Sequence, residues 1–503
     1  MRTTTADQAP IAAAEPTGSR PTGAWLTAPR LWVVIALGAI AVMQLAVVPN
    51  AIDLAYHVKA GELMVRNHEL LRTDVLAWPT AGRPWLDQNW GAQLLLYAIW
   101  RLGGFPLIAV ASALCTVTAW ALVVAACRRR TTNLRLVAGA VLAGYLGSAL
   151  VFAARPQMFS VLLFGIELYL LEVARTRPRV ALWIPLLMPL WANLHGAFVI
   201  GLALIAVELV AAAWRQDRRS ALRFLLVGAA SVAGLLVNPW GVRVLAYAAL
   251  LPTEPAVTGM VTEWAPASLR DPAGALLLAA IGVLALTLAR ARAPGRATEQ
   301  VVRMALLAGL ALWAVRASIW FGLALPIALC ALARDRPARS AAADRGVPAL
   351  NGAVAVVLVV ALVLVLPPVR RSVLPGAASL PELRSAPVAT ADWLAANPQP
   401  GRMFNLQAWG SYLEFRLGPQ VQPAVDSRIE LLPTAVWRQY LAIASGRWDA
   451  ERLLDQWGIG YVVTSQSTTP SLVAAIGASE RWRPVFSRGD KRVFVRLPAT
   501  GAG

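Results

Sequence analysis

The chain has 503 residues, 58% of them hydrophobic and only 15% charged, with a mean hydropathy of +0.58. Soluble domains carry roughly a quarter charged residues, so this composition excludes a soluble enzyme, a disordered regulator and a disulfide scaffold, and indicates a membrane protein. The formal charge of +19 arises from 46 Lys and Arg against 27 Asp and Glu, and its placement along the chain identifies its origin.

Residues 1–30 are polar and lack an apolar leader core, which predicts a disordered cytoplasmic tail ahead of an uncleaved signal anchor. Apolar runs fit to cross about 30 Å of hydrocarbon follow at 31–49, 105–127, 136–154, 157–174, 181–194, 197–214, 224–238, 273–290, 303–316, 317–333 and 349–366. With the first terminus inside, every even-numbered turn falls on an Arg cluster: 128–135, 175–179, 215–223, 290–303 and 334–345. Cytoplasmic loops retain Lys and Arg, so the surplus charge is a topology signal and requires no nucleic acid. The expectation is a multi-pass protein of the plasma membrane with a cytoplasmic N-terminus. Cys115, Cys127 and Cys330 lie in or beside apolar runs without CxxC spacing, which argues against a disulfide framework or a zinc site.

The predicted exterior comprises a first loop at 50–104, a second at 239–272 and a terminal segment at 368–503. In the terminal segment, helix-like stretches (390–396, 408–417, 433–444, 450–457, 470–478) interleave with strand-like ones (402–406, 421–425, 461–464, 483–487, 492–497). The reading is therefore mainly α: a polytopic membrane helix bundle of about eleven spans over 31–367, followed by a small extracytoplasmic α/β domain.

Polar side chains at membrane depth cost free energy, so their positions carry information. On this topology they gather at one face. Asp53 follows the first span; Arg155 and Gln157 open the fourth; Asn193 and His195 occupy the next exterior turn; Arg243 follows the seventh; Glu263 lies in the second loop; Arg316 sits at the ninth exit. Interfacial anchoring accounts for most Trp and several Arg in such a zone, but not for Asp53, His57 or His195.

Residues 53–69 read as a helix whose Lys59, Glu62, Arg66 and Glu69 form one charged stripe facing water. Asp53 and His57 fall opposite, one turn apart, on the side that must pack. For Asp53 the competing structural role is a helix N-cap; for His57 it is a packing histidine. Asp74 and Asp87 sit in turn-rich contexts and read as turn or capping residues. An Asp53/His57 metal pair lacks an obvious third ligand in register, and a divalent metal is left open.

An acid directly after span one, then His57, Gly61-Glu62, Arg72-Thr73-Asp74 and Gly82-Arg83-Pro84-Trp85 resembles the GT-C fold membrane glycosyltransferases that use polyprenyl-phosphate sugars. Ala154-Arg155-Pro156-Gln157, Trp191 to Gly196 and Asn238-Pro239-Trp240-Gly241 are similar to bacterial members of that superfamily, as are Trp409 to Leu413 and Asp426-Ser427-Arg428. The resemblance covers most of residues 31–465. It implies that Asp53 is the catalytic base or acceptor positioner. The second acid common beside it in the family is absent, since Leu54 follows. Trp409-Gly410-Ser411-Tyr412 is not the tryptophan-rich acceptor motif of oligosaccharyltransferases, so protein N-glycosylation is not implied.

The expected activity is transfer of a hexosyl or pentosyl unit from a polyprenyl-phosphate donor to an extracytoplasmic hydroxyl on a glycan, lipid or protein, with inversion. Asp53 serves as base, with His57 orienting it. Arg155, Arg243 and Arg316 are the candidate phosphate holders. Gln157, Asn193, His195, Trp85 and Glu263 complete the candidate substrate contacts. The alternatives are a transporter of lipid-linked glycans, a glycan polymerase or ligase taking lipid diphosphate-linked chains, and a non-catalytic scaffold. A transporter predicts matched broken spans, and none is visible in the sequence.

Overall fold

A computed structural model describes residues 27–250, 262–291, 298–333, 347–373 and 382–498. The predicted tail up to residue 26, the middle of the second exterior loop and the Arg-rich turn at 334–345 lie outside the described residues.

Each predicted apolar run falls on a helix. These are α1 (Ala28–Ala46), α3 (Trp90–Cys127), α4 (Leu134–Leu146), α5 (Gln157–Ala174), α6 (Ile184–Leu194), α7 (Phe198–Trp214), α8 (Arg218–Leu235), α10 (Pro272–Arg290), α11 (Thr298–Trp313), α12 (Ser318–Leu332) and α13 (Pro348–Val365). Between them lie α2 (Ala51–Asn67) and α9 (Arg243–Leu250), and α14 (Pro367–Val373) follows α13 at a bend of 86°. Among the described residues, five helical stretches are long and apolar enough to cross a membrane: 28–46, 90–127, 157–174, 272–290 and 315–332. The bent pair α13 and α14 makes a sixth if it counts as one span.

Close approach of helices in lipid favours small residues, because tails and side chains are equally apolar and packing must come from backbone proximity. Gly144 of α4 meets the Gly322 carbonyl of α12, where a Cβ would lie 2.3 Å from that oxygen. Gly165 of α5 rests on Ala119 of α3 in the same way.

The first loop carries a second helical stretch that the sequence reading does not include. Helix α3 begins at Trp90, fifteen residues before the predicted span, and carries a break at Gly103 and Gly104, the latter at φ 65°. Gly103 and Gly104 both leave the helical conformation, so this stretch is two helices meeting at a kink, and the second begins where the predicted span does, just after Gly104.

The terminal segment folds as α15 (Val388–Ala396), β1 (Arg402–Asn405), α16 (Gln407–Leu417), α17 (Thr434–Ala444), α18 (Ala450–Gln456), β2 (Ile459–Ser465), α19 (Pro470–Gly477), β3 (Trp482–Arg488) and β4 (Lys491–Arg496). The sheet order is β1-β2-β4-β3, with β1 and β2 parallel and the other pairs antiparallel. Residues 421–425, expected as a strand, join no ladder. Asn405 takes the place of a partner strand: its Oδ1 accepts from Ala424 N at 2.8 Å and its Nδ2 donates to the Val425 carbonyl at 2.8 Å.

Helix α2 packs on α3 and is covered on another side by α16, so Ala51, Leu54, Ala55 and Val58 share one apolar core with Trp409, Leu413 and Tyr461. This corrects the water-facing stripe. Lys59 is buried, its Nζ held by Glu62 at 3.0 Å and by the Gly418 carbonyl at 3.2 Å, whereas Arg66 and Glu69 are exposed. A helical wheel assumes one packing neighbour; α2 has two.

Candidate active site

The N-terminus of α2 is capped by Asn50, whose side chain accepts from Ile52 N at 3.2 Å. Asp53 is thereby released from the capping role open to it. Its carboxylate instead meets Arg155 Nη1 at 2.5 Å, across the gap between α2 and the turn that opens α5. Arg155 Nη2 pairs with Glu263, and Nε donates to Gln157 Oε1 at 3.2 Å. One guanidinium thus joins the first loop, the turn before α5 and the second loop. The Arg155 side chain is 15% exposed, but Asp53 and Glu263 are 32% and 33% exposed. Both acids are held and still reachable.

Burial raises the Asp53 pKa, but attraction to Arg155 and the hydrogen bond from it outweigh that and hold the carboxyl below its ordinary range. Asp53 is therefore ionised at neutral pH. His57, one turn on, is driven the other way: burial lowers its pKa to about 3, so the ring is neutral. The Gln93 amide nitrogen lies 3.3 Å from His57 Nδ1 and donates to Asp87 Oδ1 at 2.8 Å. An amide nitrogen only donates, so Nδ1 accepts and the proton sits on Nε2. His195 is likewise neutral, its pKa lowered well below the usual value by burial. Its Nδ1 accepts from Ala197 N at 3.3 Å and lies 2.9 Å from Ser160 Oγ, which accepts from Trp191 Nε1 at 2.7 Å. Two imidazoles with Nε2–H donors thus flank the ion pair, and no hydrogen bond to either Nε2 occurs among the described residues.

Arg316 completes the group. Its guanidinium lies 4.4 Å from the centre of the Trp264 ring, one residue beyond Glu263, and it forms no ion pair among the described residues. It is the cation with capacity to spare.

Other predicted site residues sit elsewhere. Asn193 is fully committed: Oδ1 accepts from Trp90 Nε1 at 2.8 Å and Nδ2 donates to the Pro189 and Val237 carbonyls. It clamps the ends of α6 and α8 to the start of α3. Trp85 is buried against Arg428, 4.7 Å from ring centre to guanidinium. Arg243 is exposed at the start of α9, and its side chain has no partner among the described residues. Asp74 makes the expected turn, accepting from Leu76 N at 2.8 Å, and also binds Arg428 at 2.7 Å.

Nothing in the local pattern around Glu430 marks it as a site residue. The segment Asp426 to Glu430 reaches back to α2: Ser427 Oγ donates to the Ile52 carbonyl at 2.9 Å and meets Ser411 Oγ at 3.1 Å. Gly410 permits this approach, since a Cβ there would lie 1.9 Å from the Val425 carbonyl oxygen. The similar motifs at 409–413 and 426–428 are therefore the seam that brings the terminal segment to the site. Glu430 is raised to about 7, first by burial, and its charge adds to the burial that raises the Tyr247 phenol of α9.

No group of three or more His, Cys, Asp or Glu able to hold a metal ion occurs among the described residues. No family model matches the sequence, and no curated protein matches it. Solved structures do. Archaeoglobus fulgidus oligosaccharyltransferase tethered to an acceptor peptide containing the NVT sequon superposes with a TM-score of 0.53 at 10% identity, covering 93% of this chain and 74% of that one. Its apo form gives 0.50 at 12% identity, over 90% and 73%. The archaeal enzyme is a GT-C fold glycosyltransferase. The chain has the GT-C fold. At this identity the likeness concerns architecture, and the GT-C frame spans nearly the whole chain, including the sheet-containing terminal segment.

Proposed function

We propose that the protein is a membrane glycosyltransferase that moves a sugar from a polyprenyl-phosphate donor to an acceptor hydroxyl on the extracytoplasmic side, with inversion. The observation that carries this reading is the one-third exposed Asp53 carboxylate, ionised and oriented by Arg155, on a GT-C frame.

The chemistry follows from the groups present. The acceptor oxygen forms a bond to the anomeric carbon from the face opposite the phosphate, the bond from that carbon to the phosphate oxygen breaks, and Asp53 takes the acceptor proton. Because the transition state of such transfers is oxocarbenium-like, a carboxylate of depressed pKa suffices: the hydroxyl acidifies as its oxygen bonds to carbon. The leaving phosphate gains charge and needs cations. Arg316, stacked on Trp264 and otherwise unpaired among the described residues, meets that need. Arg155 assists with the N–H groups not used by Asp53, Glu263 and Gln157, because a guanidinium carries five. The Nε2–H groups of His57 and His195 are suited to sugar hydroxyl oxygens. The acceptor hydroxyl belongs to a glycan, lipid or protein on this reading.

Asp53→Asn keeps the size and removes the base. Membranes containing this variant should transfer no labelled sugar from polyprenyl-phosphate donors, while protein level and protease accessibility match the wild type. Transfer at the wild-type rate would eliminate the mechanism.

A further inference from the structure

We propose that the Arg155 guanidinium stands in the position a divalent cation would need between Asp53 and Glu263, so that the site is neutralised by this built-in organic cation and takes no divalent metal while Arg155 is present. The inference rests on the reading of these residues as a glycosyl-transfer centre.

Two carboxylates from distant parts of the chain converge on one point, the usual prelude to binding Mg²⁺ or Mn²⁺ through oxygen. What lies at that point is a side chain. Arg155 Nη1 addresses Asp53 Oδ2 and Nη2 addresses Glu263 Oε2, so each terminal nitrogen occupies an oxygen that a metal would use. Nε is engaged by Gln157, which fixes the plane of the group and prevents it from swinging aside without losing a third contact.

The charges also close. Asp53 and Glu263 supply two negative charges; Arg155 and Arg316 supply two positive ones. The nearby His57 and His195 are neutral because both are buried. Of the groups that face Arg155, none carries negative charge left over to attract a dication. Mg²⁺ demands near-octahedral oxygen coordination and Ca²⁺ six or more oxygen ligands; two carboxylates already capped by N–H donors do not provide this. A planar fork also pairs phosphate oxygens bidentately, so Arg155 can orient the base on one edge and meet the donor on another.

The test reads metal directly. Purified full-length protein in detergent is titrated with Mn²⁺ and followed by electron paramagnetic resonance without any donor or acceptor. Wild type should show no stoichiometric Mn²⁺ binding up to millimolar concentration. Arg155→Ser, and independently Arg155→Gln, should acquire one bound Mn²⁺, which a further Asp53→Asn should abolish. Stoichiometric binding by wild type that Asp53→Asn or Glu263→Gln removes would overturn the proposal, as would folded Arg155 variants that gain no Mn²⁺. If the position 155 variants do not fold, the wild-type titration still decides. Because no substrate is present, a failure of glycosyl transfer would sink the functional reading and leave this result standing.

Discussion

Two clusters of ionised side chains are strung on the same helix, and they differ in how completely they are closed. Arg155 and Gln157 open α5, while Glu172 lies near its other end, about 25 Å away at 1.5 Å per residue. At the Glu172 end, Arg130 forms a two-point pair with Glu172 at 2.5 and 2.8 Å, Gln300 adds a bond at 3.0 Å, and Arg303 binds Glu208. Glu299 gathers Arg175 and Arg215 at 2.5 and 3.0 Å. Glu172, Glu299 and Arg303 are each 1% exposed. The Asp53 end has the same residue types but leaves its acids one-third exposed, one Arg unpaired among the described residues and two imidazole donors unused. Charge density alone does not distinguish a site from a rivet; unspent hydrogen-bonding capacity that solvent can reach does, since the spare donor of the inner cluster, Arg303 Nε, is sealed inside.

The sharpest way to break this contrast is to damage the closed cluster. Removing one partner of a buried pair leaves an uncompensated charge and costs about 3–5 kcal/mol, whereas replacing both by apolar groups of similar volume is often close to neutral. Arg303→Met should therefore lower the unfolding midpoint of the detergent-solubilised protein by several degrees, and adding Glu208→Leu should restore part of it. Sugar transfer per folded molecule should be unchanged in both. A loss of transfer without a loss of thermal stability would make the inner cluster part of the chemistry and end the distinction.

What was legible in the sequence follows the same logic. Asp53, Arg155, Glu263 and Arg316 are legible because a charged group beside an apolar span is costly wherever it goes; that Arg155 pairs with both acids is not legible, because it depends on contacts more than a hundred residues apart. The apolar runs located the helices for the same energetic reason. Lys59 was misread because its stripe depends on what α16 does, and α16 lies more than three hundred residues away. Residues 421–425 were misread because an extended backbone satisfied by Asn405 has the same local pattern as a strand satisfied by a ladder. Glu430 was missed because nothing near it marks it; only the Gly410 contact, a long-range fact, delivers it to α2. Leu54 supplies no second acid beside Asp53; Glu263, from another loop, shares the Arg155 guanidinium with it.

A milder perturbation separates the cations that were equivalent in the sequence. Arg316→Ala should reduce donor use by roughly ten- to a hundredfold, the loss of one charge-assisted contact worth about 1.5–3 kcal/mol. Arg243→Ala, at an exposed position whose side chain has no partner among the described residues, should change it less than about twofold. Initial rates against donor concentration in membranes or nanodiscs measure both. Equal losses would mean that α9 closes onto the donor and that an unpaired, stacked guanidinium is no guide to the phosphate.

The smallest expected effect concerns pH, because the open cluster titrates through neighbours with opposite signs. His57 has its folded pKa lowered by burial to about 3, so between the ordinary value near 6.5 and 3 the unfolded chain binds the extra proton, and stability falls as pH falls. Glu430 is raised by burial to about 7, so the folded chain holds its proton from about 4.5 up to that value, and stability falls as pH rises through the same interval. Asp87, raised by burial to about 8, acts in the Glu430 direction. Between pH 7 and 5, His57→Gln should therefore tilt the unfolding midpoint upward toward acid, and Glu430→Gln should tilt it downward, each by about one or two degrees. The two slopes are compared with wild type in the same detergent and at fixed ionic strength. Shifts of the same sign would mean that the first loop and the terminal segment are not both buried against one another around Asp53, and the open cluster would lose the dry wall that keeps its imidazoles neutral.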